Sequence, residues 1–333
     1  MANYQIKLFK VGKTQGFFHE FNIKVKNMTS KVAVVILNYK NIKETLRVIE
    51  EFKNQTSELE IVVVDNDSQD DSHNILSKRD DIVYLQTNDN LGYAKGNNIG
   101  IKYVIDNMDV EFIIISNNDI HLPNRNTIKM LKDVIKKLPS NWGYLGTVIK
   151  NVDDTLAQYH PKKHTTLLER LINSTLLGLP LRKFYNNVTT HRKPEMDSIF
   201  ESEIVSGAFF LFNPKAVKKI GAFDPYTFLY GEERILAKKY YTHGYKGFIT
   251  SDIDVIHENA ATTKKYPIIS YVNGLKGEYY YFVRYKSMNR IKQAFLISVR
   301  LMDTIIRVAI GNVSKEAFNK TLKMYIETRR ELK

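Results

Sequence analysis

The sequence predicts an α/β protein with a mostly parallel central sheet flanked by helices and a helical C-terminal extension. Short, unbroken apolar runs rich in β-branched residues recur through the first 120 residues. Segments with helical spacing separate them, which implies right-handed βαβ crossovers. A long, periodically apolar stretch bordered by basic residues closes the chain.

Residues 32–39 (VAVVILNY) read as a strand buried on both faces, because they lack the polar alternation of a half-exposed one. Over 41–54, Ile42, Leu46, Ile49 and Phe52 recur at helical spacing. The run EIVVVDN (60–66) is a second buried strand, followed by polar DSQDDS and a short helix around Ile75. IVYLQT (82–87) is a third strand, 97–106 a helix, and EFIIISNND (111–119) a fourth strand. Further on, SGAFFLF (206–212) is a strand and NPKAVKKIG a short helix closed by Gly221. A helix from about Glu232 to His243 ends at Gly244, and FITSDIDVIHENA is the last strand.

Three apolar strands end in polar clusters: Asn38-Tyr39, Asp65-Asn66-Asp67 and Asn117-Asn118-Asp119. In a parallel sheet all three fall along the carboxyl edge, where ligands of such sheets bind. Asp and Asn after a strand also make ordinary turns. Three clusters on one edge beside a Gly/Asn-rich loop favour a site.

The chain of 333 residues has a hydrophobic share of 43%, enough for a large core without staples. Cysteine is absent, which excludes thiol catalysis, Cys-based zinc sites and a disulfide framework. The net charge of +13 calls for an anionic partner. Residues 284–333 carry 12 Lys/Arg against 4 Asp/Glu, a local charge of +8. Concentration in a tail beside an apolar helix points to a membrane surface rather than to nucleic acid.

Residues 1–27 show no unbroken apolar run and read as an accessory segment or extension. Residues 156–197 read as a mobile loop or an acceptor-binding insertion, with His160, His164 and His191 too scattered for a metal site. Between 295 and 310, Arg300, Asp303 and Arg307 share one helical stripe in a segment too interrupted to span a bilayer. The expectation is membrane contact with that stripe toward water, the alternative being packing on the catalytic domain or a subunit interface.

The ordered series VAVVILNYKN, VVVDNDSQD, NDNLGYAKGNNIG, SNND, SGAFFLF, FLYGEERIL and IHENA resembles family 2 glycosyltransferases, especially rhamnosyltransferase-like builders of bacterial surface polysaccharides. The resemblance covers about residues 31–259. It implies a Rossmann-like GT-A catalytic domain at 28–265, with a nucleotide-binding half at 28–150 and an acceptor half at 151–265. A basic helical region occupies 266–333.

The resemblance also implies roles. Leu37, Asn38 and Tyr39 would line the nucleotide pocket; Asp65, or in part Asp67, would meet the pyrimidine base. The NDNLGYAKGNN loop would bring Asn90, Gly92, Gly96 and Asn97 near base and ribose. SNND stands where the family carries its DxD metal motif. Here Asn117 replaces the first aspartate, beside Asn118, and leaves Asp119 as the carboxylate. Amide and carboxylate oxygens still suit a hard divalent ion, Mg²⁺ or Mn²⁺. His257 matches a histidine that completes the metal shell in similar enzymes. Glu233, with Glu232 beside it, stands where the family carries its base, and the two can exchange roles. Ser206, Gly207 and Ala208 would face donor sugar or acceptor.

The resemblance thus implies an inverting hexosyltransferase taking a sugar from a dTDP or UDP donor: rhamnose, galactose, glucose or N-acetylhexosamine. The acceptor would be a saccharide, lipid-linked, at the cytoplasmic face of the cell membrane. No nucleic-acid partner is implied, and a homo-oligomer stays open. Two alternatives stand beside it. One is a saccharide-binding scaffold on the same fold, in view of the incomplete DxD. The other is a nucleotidyltransferase, disfavoured because ILNYKN lacks the glycine-rich loop such enzymes place after the first strand.

Overall fold

The computed structural model describes residues 31–157, 160–161, 166–186, 191–192, 198–258 and 267–332. The accessory segment 1–27 and His164 lie outside the described residues, as do Asn259 and Ala260 of IHENA.

The first half alternates as expected: β1 (Val32–Asn38), α1 (Ile42–Lys53), β2 (Glu60–Asp65), α2 (Ser72–Leu76), β3 (Val83–Gln86), α3 (Gly92–Asn107) and β4 (Phe112–Ser116). Then come β5 (Ile120–His121), α4 (Thr127–Ile135), β6 (Trp142–Lys150), β7 (His160–Pro161), α5 (Leu167–Ser174), α6 (Leu179–Asn186), β8 (His191–Arg192) and β9 (Ile199–Glu201). The second half continues through β10 (Phe209–Phe212), α7 (Pro214–Ile220), α8 (Glu232–Thr242) and β11 (Lys246–His257). Three helices close the chain: α9 (Pro267–Tyr280), extended by a π-turn over Tyr281–Tyr285, α10 (Arg290–Ala309) and α11 (Lys315–Glu331).

The main sheet runs β3-β2-β1-β4-β10-β6-β11-β5, with β9 on β11. Its β3-β2-β1-β4 half is parallel throughout. Beyond β4 it is mixed: β10 lies antiparallel between β4 and β6, while β11 runs parallel to β6.

Strand periodicity explains the layering. Val32, Val34 and Ile36 face one side, packed with Val48, Ile49 and Phe52 of α1 and with Ile128 and Leu131 of α4. Ala33 and Val35 face the other, against Ala94, Ile101 and Val104 of α3 and Leu236 and Tyr240 of α8. A third cluster joins α9, α10 and α11 through Leu275, Tyr279, Leu296 and Tyr325, and reaches α8 at Ile235.

Three readings change. The Gly/Asn-rich loop is largely helix, since α3 starts at Gly92 and so contains Gly96 and Asn97. Residues 156–197, expected as a mobile loop or an acceptor-binding insertion, are not all loop but contain α5 and α6; α5 opens on a reciprocal capping box between Thr166 and Glu169. The third correction concerns the stripe on α10. Arg300 and Asp303 are 2% and 1% exposed, turned into the protein rather than toward water.

The reason is a buried ion-pair network. Arg300 Nε donates to Glu278 Oε2 at 2.7 Å, and Arg170 Nε donates to Glu278 Oε1 at 2.7 Å. Asp303 accepts from the Leu176 amide at 2.6 Å and from Arg307 Nε at 2.8 Å. Burial opposes ionisation of Glu278, but the two guanidiniums hold it below the usual carboxylate range. Among the described residues no helix is long and apolar enough to cross a membrane.

Glu278→Gln leaves two guanidiniums facing an uncharged amide. It is expected to lower the unfolding free energy by about 3–5 kcal/mol, read as a fall in the urea midpoint. An unchanged midpoint would refute the buried pairing.

Candidate active site

The polar strand ends converge on one edge of the sheet. Asn38, at the end of β1, is buried and its Nδ2 faces Asp65 Oδ1, Ser72 Oγ and Ser68 Oγ at 2.8, 2.9 and 3.0 Å. Its Oδ1 accepts from Thr45 Oγ1 at 2.7 Å, and Thr45 Oγ1 in turn accepts from Asn118 Nδ2 at 3.0 Å. Ser68 also donates to Asp65. Asp65 is therefore 1% exposed and already engaged, whereas Asp67 beside it is partly exposed at φ 59°. Leu37 and Tyr39 flank this network and are partly exposed.

Asn66 ties the second cluster to the start of α3. Its Nδ2 donates to Asn90 Oδ1 at 2.9 Å and its Oδ1 accepts from the Leu91 amide at 3.0 Å. Asn90 Oδ1 also accepts from the Gly92 amide. Gly96 lies against Leu37, where an added Cβ would sit 2.6 Å from Leu37 Cδ1. Asn97 is buried, with Nδ2 donating to the Tyr93 carbonyl.

The insertion of β10 beside β4 brings a third segment to the same edge. The Asn117 amide donates to the Ala208 carbonyl at 2.8 Å, so the SNND and SGA segments run side by side. Ser206 Oγ accepts from the Ala208 amide at 3.3 Å. At Gly207 an added Cβ would stand 2.7 Å from Glu233 Oε1 and 3.3 Å from Tyr93 Oη. Only a hydrogen leaves room there. Tyr93 Oη donates to the Gly207 carbonyl at 2.5 Å.

Glu232 and Glu233 open α8 after a turn with Tyr230 and Gly231 at φ 71° and 94°. The other side of this turn touches α9, where a Cβ on Gly277 would fall 2.3 Å from the Tyr230 carbonyl. Glu232 is 4% exposed, and its Oε2 has no hydrogen-bond partner among the described residues. Burial, then the charge of Glu233, pushes its carboxyl well above the usual range. Glu233, partly exposed, is also raised by burial. Backbone amides at Glu233 and Gly207 and the Arg234 charge oppose that rise.

The third convergence is Asp119 with His257. Asp119 follows β4 and His257 ends β11; Asp119 Oδ1 and His257 Nε2 stand 3.1 Å apart, both largely shielded. The antiparallel pairing of β5 with β11 brings them together. Adjacent donors around a divalent ion with bonds of about 2.1–2.2 Å lie about 3 Å apart, so this pair fits two positions of one coordination shell. Among the described residues no group of three or more metal-binding side chains forms. Further oxygens must come from elsewhere.

Sequence reasoning missed Tyr93 and Gly277; Tyr93 lies inside a motif already singled out, while Gly277 has no local signal. Asn66, expected on this edge with its cluster, gains a specific partner in Asn90.

The sequence model described as glycosyl transferase family 2 matches residues 33–221. A curated relative, the low-salt glycan biosynthesis hexosyltransferase Agl10 of Haloferax volcanii, is 26% identical over 212 residues. The match covers 62% of this chain, which spans only 61% of that relative's length. Among solved structures, S. aureus TarS 1–349 in complex with UDP-GlcNAc superposes with a TM-score of 0.52 at 16% identity, covering 90% of this chain and 81% of that one. The mannosyltransferase PcManGT of Pyrobaculum calidifontis, in complex with GDP-Man and Mn²⁺, gives 0.51 at 14% identity, covering 91% and 86%. At these identities the likeness concerns the fold.

A carboxyl whose pKa is raised by folding stabilises the folded state below its unfolded pKa of about 4.3, and that contribution is lost as pH rises. Glu232→Gln is therefore expected to melt level with the unsubstituted protein near pH 4 and progressively above it toward pH 8. Thermal melts across that range decide; a constant difference would place Glu232 in water.

Proposed function

The chain belongs to glycosyl transferase family 2, and from that premise we propose that it is an inverting, metal-dependent hexosyltransferase using a UDP- or dTDP-sugar. The observation that carries the reading is Glu233, held against Gly207 at the start of α8, on the sheet edge that also carries Asp119 and His257.

In this reading the nucleotide lies along Leu37, Tyr39, Asp67 and Asn90. Asn38, Asp65 and Asn66 hold those groups from beneath, because they are buried and hydrogen-bonded to one another's loops. Gly92, Gly96 and Asn97 bring the first turns of α3 close to the ribose. Asn117, Asn118 and the Ser206-Gly207-Ala208 segment border the donor sugar, with Asn118 tied back to Thr45.

Asp119 Oδ1 and His257 Nε2 would hold Mn²⁺ or Mg²⁺ together with diphosphate oxygens. The ion, when bound, supplies positive charge to the departing diphosphate. An imidazole ligand tilts the preference toward Mn²⁺.

Glu233 takes the proton of an acceptor hydroxyl. The hydroxyl oxygen bonds to the anomeric carbon from the face opposite the nucleotide. The bond from that carbon to the diphosphate oxygen breaks, and the nucleoside diphosphate leaves with the electron pair. A raised pKa makes Glu233 a stronger base than an exposed glutamate. A second negative charge on Glu232 is disfavoured, since burial and the charge of Glu233 push its carboxyl well above the usual range. Tyr93 holds the neighbouring Gly207 carbonyl, and the Arg234 charge favours the ionised carboxylate.

The sugar in this reading is rhamnose, galactose, glucose or N-acetylhexosamine. The acceptor is a lipid-linked saccharide at the inner face of the cell membrane. The curated relative named as a glycan-biosynthesis hexosyltransferase supports hexosyl transfer, and the neighbours of the same fold that hold UDP-GlcNAc or GDP-Man support a nucleotide-sugar donor.

Donor binding and hydrolysis across UDP- and dTDP-sugars, with and without Mn²⁺, test the reading. Glu233→Gln is expected to lose turnover by about 10²–10⁴-fold while donor binding survives. The acidic limb of the pH–rate profile should lie above that of an ordinary glutamate, since activity needs the ionised form. Absence of binding for every nucleotide sugar would refute the proposal in favour of a saccharide-binding scaffold.

Gly207→Ala forces the Glu233 carboxylate to move, and a displacement of about 1 Å costs about 10²-fold in kcat. Donor affinity should change little. Steady-state kinetics that show a rise in donor KM with unchanged kcat would contradict this placement.

A further inference from the structure

The polarity of α10 is the reverse of a water-facing helix. Its buried stripe is charged: Arg300 is fastened to Glu278, and Asp303 to the Leu176 amide. Its outward stripe is Ile291, Phe295, Ser298, Met302, Ile305 and Ala309, all exposed and none charged. Ile291 is 81% exposed, and Phe295, Met302 and Ile305 are each more than half exposed. These six recur at helical spacing along about 30 Å. A continuous apolar face of this length rimmed by polar groups marks an interaction surface rather than scattered apolar residues.

The surroundings say what covers it. Arg290 and Lys292 stand exposed at its N-terminal end, and a notch of about 290 Å³ there is lined by Thr166, Lys286, Asn289 and Lys292. Leu177 and Leu179, also exposed, follow the Leu176 amide that Asp303 fastens to this helix. The whole region 284–333 carries a charge of +8. A second copy would set two such charged regions against each other, whereas an anionic lipid surface complements both the apolar stripe and its cationic rim.

We propose that the outward face of α10 is the seat of this protein on an anionic bilayer, with the stripe from Ile291 to Ala309 in the acyl boundary and Lys286, Arg290 and Lys292 on lipid phosphates. The geometry is that of a helix lying in the interface plane. It deepens the lipid-linked acceptor reading, because a protein held this way meets such an acceptor at the membrane surface.

The test is co-sedimentation of the full chain with vesicles of phosphatidylcholine plus phosphatidylglycerol, against phosphatidylcholine alone. The unsubstituted protein is expected to sediment with the anionic vesicles and far less with the neutral ones. Phe295→Ser with Ile305→Ser should weaken that binding about tenfold or more, with only a small fall in melting temperature, because each side chain is more than half exposed. Arg290→Gln with Lys292→Gln should make binding fail at lower salt. Failure to bind anionic vesicles, or full retention by the Phe295/Ile305 variant, would overturn the proposal. So would a concentration-dependent dimer that the same variant dissociates, which would make the occupant a second copy. Donor hydrolysis without vesicles should be the same in all these variants, so loss of the bilayer contact and loss of the transferase reading are seen separately.

Discussion

Two neighbouring carboxylates at the shielded start of one helix are the constraint around which the site is arranged. Ionised side by side away from water, Glu232 and Glu233 repel each other, and burial penalises each. Their position at a helix N-terminus offsets part of that cost, because the first-turn amides favour negative charge. The rest is geometry. Gly207 lets a strand end approach Glu233 on one side, and Gly277 lets α9 approach the preceding turn on the other. Tyr230 holds a left-handed backbone that costs a non-glycine residue about 1–3 kcal/mol, and packing from both sides over-determines it.

That arrangement makes the C-terminal helices part of the site's support. Gly277 and Glu278 are adjacent on α9, one touching the turn before Glu232 and the other anchoring Arg170 and Arg300. The ion-pair network therefore fixes α5, α9 and α10 relative to the start of α8. It also decides which side of α10 faces outward. With Arg300 and Asp303 consumed inside, the outward stripe of the helix beyond its first turn is apolar or small. A buried network of this kind contributes less to net stability than to a single arrangement of the elements it joins.

The sheet distributes labour in a comparable way. Its parallel half supplies the polar strand ends, and they are locked to one another through Asn38 and Asn66. The antiparallel β10 then delivers Gly207 and Ala208 beside Asn117, and β11 returns His257 to Asp119. The Asp119–His257 pair and the Glu233 carboxylate thus share one edge although they come from distant stretches of chain.

The local pattern of the sequence determined most of the first half by itself. Unbroken β-branched runs such as VAVVILNY must be buried on both faces, and the polar residue that ends each run must reach the sheet edge. The motifs around Asp119, Gly207, Glu233 and His257 stood out through the resemblance to family 2 glycosyltransferases, which rests on short stretches of contiguous residues. What the tertiary structure alone decided concerns partners. Whether Asp65 faces a ligand or Asn38, and whether Gly277 meets solvent or the Tyr230 carbonyl, depends on which strands and helices become neighbours. The stripe Arg300-Asp303-Arg307 makes the point most sharply. Its spacing shows that the three share a face, but only the position of Glu278, Arg170 and the Leu176 amide turns that face inward. Charge is repelled from an interior in general and drawn into it when its counter-charges are already there.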